Sequence, residues 1–529
     1  MYIKTYNTSI KYYIVTSALP YANNILHIGH LAGVYIPSDL YVKFLIFLNK
    51  KVFFLSGSDE YGVAILLKSQ ELNLSPNFLV NKYYLLNKYI FKIFNINFNS
   101  FIRTTSILHK NYVKKCFNFF KKKKYIFKKK TYQYYDEINN QYLPDRYIIG
   151  ICNFCKKKSY LDQCEKCGNF LDINTLKYPK SIINNNKLIL KKTNNWFINI
   201  KKNYKFIKIW LKKNKYLWKK NTYKYAISLL KNKIKYRSIT RDLKWGIFIG
   251  KKKVLYVWFE ALLGYITSLK NITKKYKYYW NNKSTKIIQF IGKDNIIFHI
   301  ILLPIILKYL KFKLPNYIIS NEFLNFNNKK ISSSHNYGIF CNDFLNKFPN
   351  KEDYLRFYLI YNAPENKDYN FSWIHFKNII NLKLNNIIGN YINRVFLFYK
   401  KKKKYIKILY KKKNKINKFC LKILFKIKKY ILSFKFKKAL FKYIKLSSYG
   451  NKYFNKNKLW KKKYFKKKYI NNNIIIIYYI FQIMFLFLPN ISLKILKTLN
   501  IKQKKFKELK KNNIIKINLI KYNKIFDKI

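Results

Sequence analysis

Residues 16–33 read TSALPYANNILHIGHLAG, and the choice of fold is made there. The preceding run YYIVT (12–16) is β-branched and aromatic, as a buried strand is. It empties into a polar turn carrying Pro20, Asn23 and Asn24, and then into a helix whose first turn is expected to hold His27, Gly29 and His30. A strand that feeds a helix N-terminus through a turn is where an open α/β sheet binds phosphates, because unpaired backbone N–H groups and the helix dipole both favour an anion. Two histidines three apart share a helix face, so both imidazoles can point at one bound group. Gly29 between them leaves room for close approach of a ligand. The same two histidines could also be ordinary core or surface residues, or half of a metal site.

The chain has 529 residues, enough for about three or four domains and a large core. Lys and Arg number 109 against 21 Asp and Glu, a net charge of +88, which favours a polyanionic partner such as nucleic acid. Lysine runs interleaved with Tyr and Phe suit phosphates and stacked bases. Lys, Asn, Ile, Tyr and Phe all have A/T-rich codons, however, and coding bias alone would produce much of this charge. Of seven cysteines four cluster, which argues against a disulfide framework and for a reducing, cytoplasmic setting. The N-terminus runs directly into the first strand without a cleavage-type segment. The most apolar run, 474–488, contains Gln482 and ends at Pro489; it is short for a membrane span and suits a buried bundle helix, so no membrane partner is expected.

A second strand, KVFFLS (51–56), leads into GSDEYG (57–62). Asp59 there can cap a helix or accept from an amine or hydroxyl over the crevice. From about residue 111 the alternation of strand and helix weakens, marking an insertion. Inside it Cys152-x-x-Cys155 and Cys164-x-x-Cys167, closed by Gly168, place four thiolates around one structural zinc ion with no open position. Lys156, Lys157, Lys158 and Lys166 favour the thiolates. The remaining cysteines, Cys116, Cys341 and Cys420, are expected to pack in the core. Beyond Ser181 long mixed helices carrying Trp196, Trp210 and Trp218 are expected. In SITRDLKWG (238–246) Arg241 adjoins Asp242, as an ordinary ion pair would. VLYVWFEALLGY (254–265) is an aromatic stripe that fits either plain core or a pocket wall. KIIQFIGKDN (286–295) is another strand, with Asp294 at its end able to hold ribose hydroxyls. Asn386, Asn390 and Arg394 follow at four-residue steps on one helix face, where they could read unstacked bases or simply be solvated. Residues past about 500 are Lys-rich and predict nothing specific.

In order and identity these motifs resemble the methionyl branch of the class I aminoacyl-tRNA synthetases, from Tyr13 to about Ile495. The residues that carry the resemblance are HIGH (27–30), SALPYANN (17–24), GSDEYG, YLPDR (142–146) before the cysteine knuckle, VWFEALLGY (257–265), KISSS (330–334) where the family has KMSKS, and the N-x3-N-x3-R helix. It implies a Rossmann-like parallel-sheet α/β catalytic domain with a zinc-knuckle insertion and a C-terminal α-helical bundle. The corresponding divisions are 1–110 and 236–320 for the catalytic domain, 111–235 for the insertion, 321–375 for the KISSS loop and its linking subdomain, and 376–529 for the anticodon-binding helices. The implied activity is ATP-dependent ligation of L-methionine to its tRNA, initiator included, through a methionyl adenylate, by a monomer using Mg2+ with ATP. A tRNA-binding protein that has lost catalysis, or a synthetase for another amino acid, is the alternative. The resemblance assigns catalysis to His27, His30 and Lys330, and ATP to Gly29, Asp294, Lys330 and Ser333. It assigns methionine to Ala18, Leu19, Tyr21, Asp59, Arg241, Trp258, Ala261, Tyr265 and His299, and the anticodon to Asn386, Asn390, Arg394 and Trp460. The chain departs from the pattern at Tyr61 (usually His), Glu260 (usually Asp), Leu262 (often Pro), Leu459 (usually Pro) and Ser333, where the second KMSKS lysine normally lies. Because Ser333 carries no charge, His27 and His30 are expected to take more of the phosphate charge.

Overall fold

A computed structural model describes residues 10–137, 141–143, 147–164, 166–182, 188–231, 235–250, 253–333, 336–400, 405–409, 414–457, 467–509, 514–518, 522 and 525–529. At its centre is a sheet of five parallel strands: β1 (Tyr12–Ser17), β2 (Lys51–Ser58), β3 (Ser100–Arg103), β4 (Thr285–Gly292) and β5 (Tyr317–Asn321), in the order β5-β4-β1-β2-β3. The strands are apolar along both faces, as in Ile14 and Val15 of β1 and Ile287 and Ile288 of β4, because helices cover both sides. The chain steps outward from β1 through β2 to β3, then returns to pair β4 on the other side of β1. That reversal opens a crevice beyond the carboxyl ends of β1 and β4, the place where open α/β sheets bind ligands. After β1 a continuous helix runs over 28–47, with a wider π turn at Leu31–Tyr35.

The insertion lies between β3 and β4. A long antiparallel pair, Ile126–Asp136 with Ile189–Asn199, carries a small knuckle sheet at its far end, built on Ile148–Cys152, Lys158–Tyr160 and Leu176–Ser181. The knuckle has its own core of Tyr134, Leu143, Ile148, Leu161 and Leu171. Pro144, Asp145 and Arg146 of YLPDR fall outside the described residues. Trp196, expected in a helix, is on the strand Ile189–Asn199 opposite Lys128. Trp210 and Trp218 are buried against each other, centroids 5.0 Å apart.

The C-terminal part is helical. A long helix over 373–400 packs with Lys415–Leu432, Phe436–Lys456, Lys467–Phe487 and Pro489–Thr498. Lys468–Phe487 is long and apolar enough to cross a membrane, but 83% of its apolar window is buried inside the protein. Gln482, the polar residue in it, is paired: its Nε2 donates to the Lys502 carbonyl and its Oε1 accepts from the Lys504 N–H. Past residue 500, where composition predicts nothing specific, the described residues include a strand and a buried aromatic. Ile514–Asn518 pairs antiparallel with Tyr405–Leu409, and Phe526 is buried against Gly389 and Tyr354. A buried polar link ties the halves together. Arg356 of the helix Glu352–Tyr361 donates to Asp39 Oδ2 at 2.6 Å and to the Phe94 carbonyl at 2.9 Å, while Lys43 meets Asp39 Oδ1 at 2.5 Å.

Candidate active site

His27 is not in the first helical turn but is its N-cap, in extended conformation. Its Nδ1 accepts from the His30 N–H at 3.2 Å, and its own N–H donates to His30 Nδ1 at 3.3 Å. The two rings stack with centroids 3.6 Å apart and planes 17° from parallel. Because both Nδ1 atoms accept, each neutral imidazole carries its proton on Nε2, where it can donate to an anion. Burial pushes His27 well below its ordinary value, with His30 and the Lys330 ammonium adding to the effect. Burial likewise brings His30 down to about 4, against the opposing pull of Asp294. Near neutral pH the pair offers hydrogen bonds and no net charge, contrary to the expectation that it takes over phosphate charge. Gly29 serves this arrangement: a Cβ there would stand 3.0 Å from two atoms of the His27 ring.

Beside this turn a narrow pocket is lined by Ala18, Leu19, Asp59, Trp258, Ala261, Leu262, Tyr265, Asn295 and His299. Seven of the nine methionine-site residues expected from sequence line it, drawn from four distant segments. Trp258 stacks on Phe298 at 3.9 Å, and Tyr21 meets the Trp258 ring edge-on at 6.1 Å. Tyr21 is also bridged to Asp59, with Ala22 N–H donating to the Asp59 carbonyl at 2.8 Å, so the turn after β1 is strapped to the end of β2. His299 has both ring nitrogens fixed: Nδ1 meets the Asn295 carbonyl at 2.9 Å, and Nε2 meets the Tyr265 hydroxyl at 2.7 Å. The carbonyl can only accept, so Nδ1 holds the proton and Nε2 takes the phenol's hydrogen. Burial lowers His299 to about 4. Arg241 is not brought to the pocket; its guanidinium lies 4.1 Å from the Tyr256 ring centre and donates to the Thr240 carbonyl at 2.8 Å.

Asp59 is 2% exposed, and its Oδ1 has no hydrogen-bond partner. Burial first, then the Glu60 charge, holds its carboxyl well above the usual range despite the Tyr61 N–H. An unpartnered buried carboxylate oxygen in a small apolar pocket calls for a cationic ligand group. Nearby, Glu260, marked in the sequence as a departure, forms a buried pair with His109, which the sequence did not single out: His109 Nε2 meets Glu260 Oε2 at 2.8 Å and His109 Nδ1 meets Thr267 at 2.8 Å.

On the other side of the histidines, Lys330 stands 3.5 Å from Asp294 Oδ2, at the end of β4. The KISSS segment is tied to the turn after β1: Asn24 Nδ2 donates to the Ser333 carbonyl at 3.2 Å, Ile28 N–H to Ile339 at 3.0 Å, and Cys341 N–H to Leu26 at 2.8 Å. Thus Lys330 lies close enough to both histidines, and Asp294 to His30, for their charges to act on the rings. Asn295, Lys293 and Phe323 are not marked by any sequence motif role. Lys293 lies within GKDN, whereas Asn295 acts through its carbonyl and leaves no side-chain signal.

The four sulfurs of Cys152, Cys155, Cys164 and Cys167 lie within 4.8 Å of one another, with Cys152–Cys167 at 3.9 Å and Cys155–Cys164 at 3.6 Å. In a tetrahedral zinc tetrathiolate, sulfurs about 2.3 Å from the metal are about 3.8 Å apart, so the cluster fits that ion. Burial raises the Cys164 thiol, but N–H groups of Cys167 and Lys166 outweigh it and bring it to about 7. Gly168 has φ +72°, and a Cβ there would meet the Tyr225 hydroxyl at 1.6 Å; that hydroxyl donates to the Cys167 carbonyl at 3.2 Å. In the bundle, Asn386 and Asn390 are exposed on one face of the long helix, and the Arg394 guanidinium lies 4.9 Å from the Phe454 ring. Trp460 and Leu459 lie outside the described residues.

A family model described as tRNA synthetases class I (M) matches residues 13–396. A methionine–tRNA ligase of Bacteroides fragilis is 40% identical over 394 residues, covering 73% of this chain and 58% of that protein. One from Flavobacterium johnsoniae is 40% identical over 402 residues, covering 74% and 56%. The chain therefore spans under two thirds of the length of these relatives. Among solved structures, Mycobacterium tuberculosis methionyl-tRNA synthetase in complex with methionyl-adenylate superposes with a TM-score of 0.79 over 98% of this chain and 99% of that one, at 20% identity. The apo form gives a TM-score of 0.73 at 19% identity, over 98% of each chain. At such identities the likeness establishes the fold.

Proposed function

The chain belongs to the class I tRNA synthetases of the M group, and from that premise we propose that it joins L-methionine to tRNA(Met), initiator included, by way of a methionyl adenylate. The observation that carries the substrate is the pocket between β1, β2 and β4. An unbranched thioether fits walls made by Trp258, Ala261, Tyr265 and His299, since a soft sulfur is discriminated by shape and ring contact. The α-ammonium meets the unpartnered Asp59 Oδ1, which leaves the carboxylate directed toward the crevice of His27 and His30.

In the first step a methionine carboxylate oxygen attacks the α-phosphorus of ATP and pyrophosphate leaves. The protein supplies position and electrostatics and forms no bond to substrate. The Nε2–H groups of His27 and His30 donate to phosphate oxygens, Asp294 accepts from the ribose, and Lys330 offsets the charge gathering on the leaving group. Mg2+ brought with ATP would supply further charge neutralisation beside Lys330. In the second step a hydroxyl of the tRNA's 3′-terminal ribose attacks the acyl carbon and AMP departs. Cys152, Cys155, Cys164 and Cys167 would hold a single structural zinc ion, fixing the knuckle without an open position. The face of Asn386, Asn390 and Arg394, with Trp460, reads the anticodon. A cytoplasmic monomer is the form proposed.

The test is ATP–pyrophosphate exchange dependent on methionine and absent with isoleucine or cysteine. His30→Ala should lower it at least about 100-fold; unchanged exchange would sink the assignment. Ser333 in place of a lysine favours one other reading, a tRNA-binding protein without catalysis. It predicts no exchange with any amino acid and intact tRNA binding.

A further inference from the structure

We propose that Lys293 is a second catalytic cation for the triphosphate, acting beside Lys330 around the ring of Phe323. The inference rests on the proposed activity and names a residue for it. The Lys330 ammonium lies 4.0 Å from the Phe323 ring centre and the Lys293 ammonium 5.6 Å from the same centre. One ring thus gathers both cations at the carboxyl end of β4, and in its present pairing each faces an acid. Lys330 meets Asp294 at 3.5 Å, and Lys293 meets Glu322 Oε2 at 2.5 Å.

These pairings are exchangeable. Both lysine side chains keep more than a third of their surface exposed, so their ammonium groups remain hydrated and free to move onto phosphate. Glu322 does not lose its last partner when Lys293 turns away, because its Oε1 also accepts from Asn221 at 3.2 Å. Lys219 is different: it is buried, with its ammonium on Asn321 Oδ1 and the Glu365 carbonyl, and serves the fold. The stacked histidines accept backbone N–H groups on both Nδ1 atoms and donate hydrogen bonds without charge. Ile331, Ser332 and Ser333 bring no cation. Lys330 and Lys293 are the two cations gathered at this ring, placed to meet the charge of a departing pyrophosphate together with the metal that would accompany ATP.

The test uses the full chain as Lys293→Ala, Lys293→Arg, Ser333→Lys and the Lys293→Ala/Ser333→Lys double variant. Lys293→Ala should lower the exchange rate about 100-fold with methionine affinity within about three-fold, and Lys293→Arg should keep most of it. Ser333→Lys should restore at least about ten-fold in the Lys293→Ala background, a larger gain than it gives the parent. Exchange by Lys293→Ala within three-fold of the parent overturns the inference, and so does an equal gain from Ser333→Lys in both backgrounds. Equilibrium titration with inorganic pyrophosphate separates this inference from the assigned activity. If the parent shows no exchange, the activity fails, while about ten-fold weaker pyrophosphate binding by Lys293→Ala still supports the cation and unchanged binding overturns it.

Discussion

His299 has no freedom in its ring: a carbonyl takes one hydrogen and a phenol gives another. Burial lowers its pKa from 6.5 to about 4, so the unfolded chain binds a proton that the folded one refuses in that interval. By linkage its share of stability is present above pH 6.5 and is lost as pH falls from 6.5 toward 4. His299→Gln should flatten that loss by on the order of 3 kcal/mol, measured by denaturant unfolding at pH 7 and pH 4.5. Asp59→Asn removes the carboxyl that ionises against an incoming ammonium. It should raise the methionine KM about 10- to 100-fold with the ATP KM little changed, as read by exchange kinetics. Both residues were legible in the sequence because their chemistry is in the side chain. Asn295 was not, since any residue type has the carbonyl it contributes.

Among the elements, the turn over 22–30 is hydrogen-bonded to the segment that follows Lys330. Asn24→Ala removes one hydrogen bond to Ser333, a loss of about 1 kcal/mol. The expected result is an ATP KM several-fold higher and a methionine KM unchanged. Gly29→Ala would push the His27 ring from its stack and should lower kcat more than either KM, because the donors lose aim while the pockets remain. The strand–turn–helix around this turn was readable from its residues, but the exact start of the helix was not. A histidine capping a helix through its ring is not among the usual capping residues, so the sequence pointed one residue too early. The strand around Trp196 was mistaken for helix for a related reason. LKKTNNWF has no clean alternation of its own, and its form is set by pairing with residues 126–136. In the knuckle, treatment with a chelator or Cys164→Ser should expose residues 148–181 to protease while leaving the central sheet protected, since the knuckle core is separate from the main one.

At the scale of the molecule, Asp39 and Arg356 are far apart in sequence and both buried, the arginine completely. Arg356→Ala leaves Asp39 with only Lys43 and should cost about 3–5 kcal/mol, seen as a lower unfolding midpoint. Arg356→Met paired with Asp39→Asn should recover much of that. Such a link is invisible in sequence, where an arginine in a helix and an aspartate in another look like two surface charges. The last residues were opaque for a similar reason: Ile514–Asn518 finds its partner strand across the whole bundle, and lysine content says nothing of that pairing. The strand order carries one more consequence, for the making of the protein. β1 is complete once residue 17 has been synthesised, yet β4, which fills its second edge, comes only after residue 285. At ribosomal speeds of about 5–20 residues per second the apolar edge of β1 stays open for tens of seconds, long enough for a chaperone to bind or for two nascent chains to pair wrongly.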